Sequence, residues 1–169
     1  MKLQFATFFP KRMPIMGGLP TDFKAKLWQG FAKMDLNNLN SSKYIEYLKR
    51  LTPAEVALIG HVNPKLHTIR TDENDEIHPG VEIYFFDDLD LIIAPPLECT
   101  HTQKIMIDRV GCTGFWRMDV VVSIDGRVLQ HWEVLTLSRN EGFDSPDDFF
   151  EFFDKDCMKK IIHWTKIKY

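Results

Sequence analysis

The segment that most constrains the fold is VVVSIDGRVL, over residues 120–129, which reads as a β-hairpin. Asp125-Gly126 stands between two runs rich in β-branched residues, and this dipeptide is typical of a type I′ turn. The turn predicts two neighbouring antiparallel strands in the second half of the chain. We expect residues 132–137, WEVLTL, to continue the same sheet as a further strand.

Other short apolar runs predict the remaining strands. They cover residues 3–9, 66–70, 81–86, 89–93 and 104–110, with a closing strand at 161–164. Four helices are expected between them. Thr21 caps the first, Ser42 starts the second, Thr52-Pro53-Ala54-Glu55 is a capping box ahead of a helix that ends at Gly60, and Ser145 caps a phenylalanine-rich fourth. The apolar positions that we expect to face the core in the first two helices are Phe23, Leu27, Trp28, Phe31, Ile45, Leu48 and Leu51.

These elements predict a single α+β domain. Short strands with a closing C-terminal strand, and helices placed early and late, favour a small, mostly antiparallel β-barrel plugged by helices. The 169 residues are enough for one core. Residues 33–41 are expected to be a surface connection between the first two helices.

The composition predicts a cytoplasmic protein. No apolar run approaches the length of a membrane span, and the apolar start is too short for a signal peptide. The three cysteines lack C-x-x-C spacing, which favours a reducing compartment over a disulfide framework. Cys99-Thr100-His101 could start a metal site, but no second pair is visible, and we expect neither a metal nor a cofactor.

Charge is distributed unevenly along the chain, whose net charge is −3. Residues 1–70 hold 11 Lys and Arg against 4 Asp and Glu, whereas residues 71–169 hold 10 against 20. The basic half could meet phosphate groups. The alternative is that both halves are simply solvated faces of one domain.

Residues 64–70, PKLHTIR, place an amine, a hydroxyl and a guanidinium close together. A lysine buried in an apolar cleft can act as a general base, and Thr68 would be a nucleophile only with such a base beside it. Positions three apart face opposite sides of an ideal strand, so Lys65 and Thr68 meet only if the chain turns before the strand. The alternative is a solvated lysine and an ordinary strand threonine.

Arg70 and His67 belong to the same segment. Arg70 could hold a phosphate or carboxylate through two hydrogen bonds, or it could pair with an acidic residue of the 72–76 loop. His67 is expected to be a structural residue, because no second histidine lies at a fixed spacing from it.

A second candidate segment is SRNEGF, residues 138–143, at the expected end of the hairpin sheet. Glu141 could exchange a proton or orient a lysine there, and Arg139 could contact a ligand. The alternative is a structural pair between Arg139 and Glu141. Four aromatic residues could stack on a base or belong to the core, namely Tyr84, Trp116, Trp132 and Trp164.

Three segments resemble the ASCH family. The central motif of the family is similar to residues 65–70 followed by Gly80 and Ile83. Its later motif is similar to EGF at 141–143 with Ser145, and its closing strand is similar to IHW at 162–164. GxPTxFxxKLW, residues 18–28, resembles the helix before the central motif. The likeness covers roughly residues 3–31 and 62–169, so the helices at about 33–60 look like an insertion.

The resemblance implies a PUA-like β-barrel with a cleft for RNA or a modified nucleoside. Some small bacterial members are amidohydrolases that deacetylate N4-acetylcytidine with a lysine base, a threonine nucleophile and a glutamate acid. By motif position these roles fall on Lys65, Thr68 and Glu141, with Arg70, His67 and Arg139 as ligand contacts. The alternative is a non-catalytic module that binds RNA.

Overall fold

A computed structural model of the chain describes residues 1–34, 42–110 and 119–169. Most of the predicted 33–41 connection, Trp116 and Cys112 lie outside these described residues. The helices are α1 (Phe23–Lys33), α2 (Ser42–Leu48), α3 (Pro53–Leu58), α4 (His131–Asn140) and α5 (Pro146–Phe152). The strands are β1 (Lys2–Phe5), β2 (His67–Arg70), β3 (Glu82–Asp87), β4 (Ile92–Glu98), β5 (His101–Val110), β6 (Asp119–Ile124), β7 (Arg127–Val128) and β8 (Cys157–His163).

The described strands form two sheets, which confirms the α+β class. One sheet has the order β1-β3-β4, in which β1 runs parallel to β3 and β3 antiparallel to β4. The other is antiparallel throughout, in the order β2-β8-β5-β6-β7. Strands β1 and β2 are therefore edge strands of different sheets.

The predicted hairpin is confirmed, but the strand predicted after it is wrong. Asp125 and Gly126 both have positive φ, as a type I′ turn requires. Residues 132–137 belong instead to α4, which begins with a capping box in which Gln130 and Glu133 bond each other's backbone. The buried residues of α4, Val134, Leu137 and Ser138, have helical spacing. The short apolar run of residues 132–137 fits a strand as well as a helix, which hid this longer period.

A buried carboxylate explains why β4 starts later than predicted. Asp87 Oδ1 accepts hydrogen bonds from the backbone amides of Leu89 and Leu91, at 3.0 and 2.9 Å. The two leucines lie in the resulting turn and are exposed. Residues 89–91 therefore form a turn instead of the first part of a strand.

The helix predictions hold with local corrections. All four predicted core positions of α1 are buried, but its N-cap is Asp22, because the Thr21 hydroxyl donates to the Ala6 carbonyl instead. The capping boxes of α3 and the Ser145 cap of α5 are confirmed. In α2, Ile45 is 44% exposed, contrary to its expected place in the core.

Aromatic residues fill much of the space beneath the candidate site. Phe143 at the end of α4 contacts the rings of Phe9, Phe23, Phe149 and Phe152. This packing fixes the chain immediately after Glu141 against α1 and α5. Over the described ranges, no helix is long and apolar enough to cross a membrane.

Candidate functional site

Lys65, Thr68 and Glu141 meet in one buried cluster. Lys65 Nζ lies 2.7 Å from Glu141 Oε1, and the Thr68 hydroxyl donates to the same oxygen at 3.3 Å. Lys65 Nζ also donates to the Glu141 carbonyl at 2.7 Å. One carboxylate oxygen thus holds both the amine and the hydroxyl.

The chain reaches this arrangement because Lys65 precedes β2. Its backbone forms an isolated antiparallel bridge with Glu141, and its amide donates to the Lys26 carbonyl of α1 at 2.8 Å. Regular pairing with β8 starts only at His67. The alternation expected of an ideal strand does not apply across residues 65–67, and Lys65 and Thr68 can both turn toward Glu141.

Two glycines permit the close approach of the backbone around Lys65. A Cβ at Gly30 of α1 would lie 2.4 Å from the Lys65 carbonyl oxygen. Gly142 has φ of +94° directly after Glu141, a conformation that L residues rarely adopt. The helix, the lysine and the glutamate are therefore packed backbone against backbone.

Glu141 is the C-cap of α4, not the end of a sheet as predicted. Because α4 replaces the expected strand, the carboxylate extends from a helix end toward β2. Its Oε1 also accepts the Ile69 amide at 3.3 Å. The alternative of an Arg139–Glu141 pair is wrong, since Glu141 faces Lys65 and Arg139 is exposed on α4.

Burial shifts the protonation of both charged members toward their neutral forms. Desolvation lowers the pKa of Lys65 to about 8, although the attraction of Glu141 opposes this shift. Desolvation likewise raises the pKa of Glu141, against the attraction of Lys65 and Arg70. A neutral amine and a neutral carboxylic acid are the forms that a general base and a general acid need.

His67 is not isolated, contrary to the sequence prediction. Strand pairing sets His163 of β8 opposite both His67 and His101 of β5. The rings of His101 and His163 stack with centroids 4.0 Å apart, and those of His67 and His163 are 5.3 Å apart. The three histidines form a row across the sheet that ends beside Glu141.

This histidine row is largely desolvated. His67 Nε2 lies 3.4 Å from Glu141 Oε2, and neither atom has a hydrogen-bond partner in the described part of the chain. The other ring nitrogen of His67 lies 3.3 Å from the Tyr169 hydroxyl. Burial lowers the pKa of His67 well below its usual value and that of His163 to about 3, so both rings are neutral at pH 7.

Sequence reasoning did not connect His67 with His101, His163 or Tyr169. It considered His101 only beside Cys99 and His163 only within the closing strand, and His163 is 96 residues from His67 along the chain. Only the registers of β2, β8 and β5 bring the rings together. No local signal in the sequence could have grouped them.

Among the described residues, Arg70 forms no ion pair with the 72–76 loop, while its predicted contact with a ligand stays a prediction. Its guanidinium donates to the Gln4 carbonyl of β1 at 2.7 Å and lies 5.3 Å from the centre of the Phe5 ring. The expected partner Asp72 instead bonds Lys160 of β8. Arg70 is therefore a link between the edge strands of the two sheets.

The three predicted aromatic platforms that the structure describes do not gather at the cluster. Trp164 is buried in the core against Phe85, whereas Trp132 is 66% exposed on α4 and Tyr84 lies on the outer face of β3. The rings that contact the cluster are Phe5 and Phe23, whose centres lie 5.6 and 4.6 Å from Lys65 Nζ. These contacts stabilise the charged form of the amine.

Within the described ranges, no group of three or more histidine, cysteine or acidic side chains has the geometry to hold a metal ion.

Comparison with known proteins identifies no relative of the chain. The chain matches no family model, no curated protein and no solved structure. Functional inference therefore depends on the cluster and on the motifs that supply it.

Proposed function

We propose that the chain is an ASCH-like amidohydrolase that removes the acyl group from N4-acetylcytidine or a similar amide. The observation that supports this most is the contact of Glu141 Oε1 with both the Lys65 amine and the Thr68 hydroxyl. A base, a nucleophile and an acid are the groups that amide hydrolysis requires. The proposal includes a PUA-like barrel built from the two sheets, with a helical insertion at about 33–60.

In the first half of the reaction, Thr68 Oγ1 attacks the acyl carbon and its proton passes to the neutral Lys65 amine. The bond between the acyl carbon and the exocyclic nitrogen then breaks while Glu141 gives its proton to that nitrogen. The products of this half are cytidine and an ester of Thr68. The pKa directions of Lys65 and Glu141 favour the protonation states that this step needs.

In the second half, water attacks the ester and gives a proton to the Glu141 carboxylate. Thr68 leaves as the alcohol after recovering a proton from the Lys65 ammonium. Acetic acid is released, and all three side chains return to their starting states. His67 beside Glu141 Oε2 is neutral, so it leaves the charge of the carboxylate unchanged.

The test is incubation of the purified protein with N4-acetylcytidine in the presence of a chelator, with cytidine release followed by chromatography. We expect release by the wild type, and a loss of at least about a hundredfold for Lys65→Ala and Thr68→Ala. Lys160→Ala and Thr136→Ala are matched controls, because Lys160 belongs to a different ion pair and Thr136 is exposed on α4. Circular dichroism checks that each variant folds.

Two results would contradict the proposal. Undiminished turnover by Thr68→Ala would remove the nucleophile from the mechanism. No release by the wild type would contradict an N4-acetylcytidine amidohydrolase and favour the non-catalytic RNA-binding alternative, which predicts affinity for RNA that falls steeply with salt.

A further inference from the structure

The second half of the proposed reaction needs a water molecule at a cluster that is closed to solvent. Lys65, Thr68 and Glu141 are 1%, 0% and 4% exposed. The water that attacks the Thr68 ester must therefore be held inside the protein, beside the Glu141 carboxylate. The candidate position is the carboxylate oxygen that bonds neither the lysine nor the threonine.

Glu141 presents its two oxygens to different surroundings. Oε1 accepts from the Thr68 hydroxyl and the Ile69 amide, each at 3.3 Å, and lies 2.7 Å from Lys65 Nζ. Oε2 is buried, has no hydrogen-bond partner among the residues that the structure describes, and faces His67 Nε2 at 3.4 Å. One oxygen therefore holds the reacting groups, and the other is available to a water.

The contact between His67 Nε2 and Glu141 Oε2 is too long to satisfy either atom. Hydrogen bonds from N–H groups to oxygen usually span about 2.7–3.2 Å, whereas these two atoms are 3.4 Å apart. Buried polar atoms without a protein partner are ordinarily bonded by ordered water, which needs at least two such atoms to hold it. His67 and Glu141 supply both.

Unpartnered polar atoms are concentrated along the histidine row. Over residues 1–34, 42–110 and 119–169, seven buried side-chain nitrogen or oxygen atoms lack a hydrogen-bond partner. Five of the seven are Glu141 Oε2 and ring nitrogens of His67, His163 and His101. His101, at the far end of the row, is only half-buried. The row therefore lines a polar route from the partly exposed His101 to Glu141.

The partners of the other ring nitrogen determine where His67 carries its proton. Asn140 Nδ2 donates to the Tyr169 hydroxyl at 2.9 Å, and this hydroxyl lies 3.3 Å from His67 Nδ1. Because its oxygen already accepts from Asn140, the hydroxyl directs its own proton to Nδ1. Burial keeps the ring neutral, with one N–H group, which is then on Nε2 and faces Glu141. This group can donate to a water but cannot take a proton from it, which leaves Glu141 as the base.

From these observations we infer that His67 Nε2 and Glu141 Oε2 hold the water that hydrolyses the Thr68 ester. This inference rests on the proposed function. The His67 N–H group bonds one lone pair of the water and Oε2 accepts one of its protons, which leaves the second lone pair for the ester carbon. The water oxygen bonds to that carbon, and the accepted proton passes to Oε2. The bond from the carbon to Thr68 Oγ1 then breaks as Lys65 returns a proton to Oγ1. His67 is a positioning residue in this step, since it keeps its own proton throughout.

The kinetic test compares His67→Asn with His67→Gln. The asparagine amide ends near the Nδ1 position and keeps a partner for Tyr169, whereas the glutamine amide reaches the Nε2 position and keeps a donor for the water. With N4-acetylcytidine, His67→Asn should release one cytidine per enzyme in a burst and then turn over at least about tenfold more slowly than the wild type. Mass spectrometry should find the acetyl group on Thr68 of this variant.

Two further variants separate the position of the donor from a loss of packing. His67→Gln should turn over faster than His67→Asn and accumulate less acetylated Thr68. His131→Asn is the matched control, because this exposed histidine lies at the opposite end of α4 from Glu141. It should release cytidine as the wild type does, with no acetylated Thr68.

A crystal structure of the wild type tests the water site without any substrate. A water oxygen should lie within about 3.2 Å of both His67 Nε2 and Glu141 Oε2, and it should be lost in His67→Asn. A direct bond between the two side chains, with no water on either atom, would overturn the inference whatever the folding and activity of the variants.

The proposed function and this inference fail on different results. Release by the wild type, with no acetylated Thr68 in folded His67→Asn, would overturn the positioning role of His67 but not the amidohydrolase. No release by the wild type would contradict the amidohydrolase. It would also overturn the use of the water as a nucleophile, even where the crystal structure shows the water bound.

Discussion

Two lysine–carboxylate pairs, one before β2 and one after it, differ in the direction of their pKa shifts. In Lys65–Glu141 the lysine pKa is lowered and the glutamate pKa is raised, because desolvation outweighs the attraction between them. In Lys160–Asp72 desolvation acts in the same directions, but hydrogen bonds outweigh it, so the lysine pKa is raised and the aspartate pKa is lowered. The charged forms of lysine and carboxylate are thus disfavoured in Lys65–Glu141 and favoured in Lys160–Asp72.

The surroundings account for the difference. Lys65 and Glu141 lie beneath α1 and α4, with side chains 1% and 5% exposed. The Lys160 and Asp72 side chains are 17% and 6% exposed, so the carboxylate is covered too, but the covering loop residues 73–76 are themselves exposed and leave water close to the amine. Folding therefore keeps the first pair at a cost in desolvation, whereas the second pair closes a loop onto β8.

The largest expected effect is in a double-mutant cycle on the buried pair Lys65–Glu141. Glu141→Leu or Lys65→Met alone should lower the free energy of unfolding by about 3–5 kcal/mol, because each leaves a desolvated group without its partner. The free energy of unfolding should fall less in the double variant than in either single variant. Urea unfolding at pH 7 measures all three. A Glu141→Leu cost no greater than that of Asp72→Leu would show that burial does not distinguish the pairs.

The packing that buries Lys65 can be tested at Gly30. Gly30→Ala places a Cβ where the Lys65 carbonyl oxygen lies, so α1 and residue 65 must separate. Overpacking costs about 1–3 kcal/mol, and because the Cβ meets backbone we expect the upper part of that range, so the cost exceeds the gain of about 1 kcal/mol that alanine brings to a helix. Urea unfolding measures it, with Lys33→Ala at the exposed end of α1 as the control. Stabilisation by Gly30→Ala would contradict the close packing.

The local parts of this architecture could be predicted from the sequence, whereas the parts that depend on distant pairing could not. The Asp125-Gly126 turn, the capping box of α3 and the Ser145 cap of α5 are encoded within a few residues. The α4 helix was missed because its pattern fits two periods. The contact of Lys65 with Glu141 spans 76 residues, and the residues alone do not predict it; only the resemblance to the ASCH family assigns both residues to one site. The histidine row gave no signal, because strand register creates it.

The pKa values of Lys65 and Lys160 can be compared directly by NMR. In protein labelled with ¹³C at lysine Cε, one resonance should titrate near pH 8 and vanish in Lys65→Met, while that of Lys160 should titrate above 10.5. Between these values the unfolded chain binds more protons at residue 65 than the folded protein does. The contribution of Lys65 to stability should therefore rise with pH from about 8 to 10.5. A Lys65 resonance that titrates with the other lysines would contradict its desolvation.

The smallest expected effect is at the shallow pair. Lys160→Met should cost about 1 kcal/mol at pH 7, since a pair near water gains little from its attraction. Asp72 has a folded pKa below its usual value, so its contribution is present above pH 3.8 and is lost as the pH falls through that lower pKa. The difference in unfolding free energy between Lys160→Met and the wild type should accordingly shrink in acid.

In 1 M salt at pH 7 the difference between Lys160→Met and the wild type should also shrink. The cost of Glu141→Leu should change little, because ions do not reach the buried pair. Equal salt sensitivity at the two sites would mean that solvent reaches both pairs, and the pKa of Lys65 would then have no physical cause for its depression.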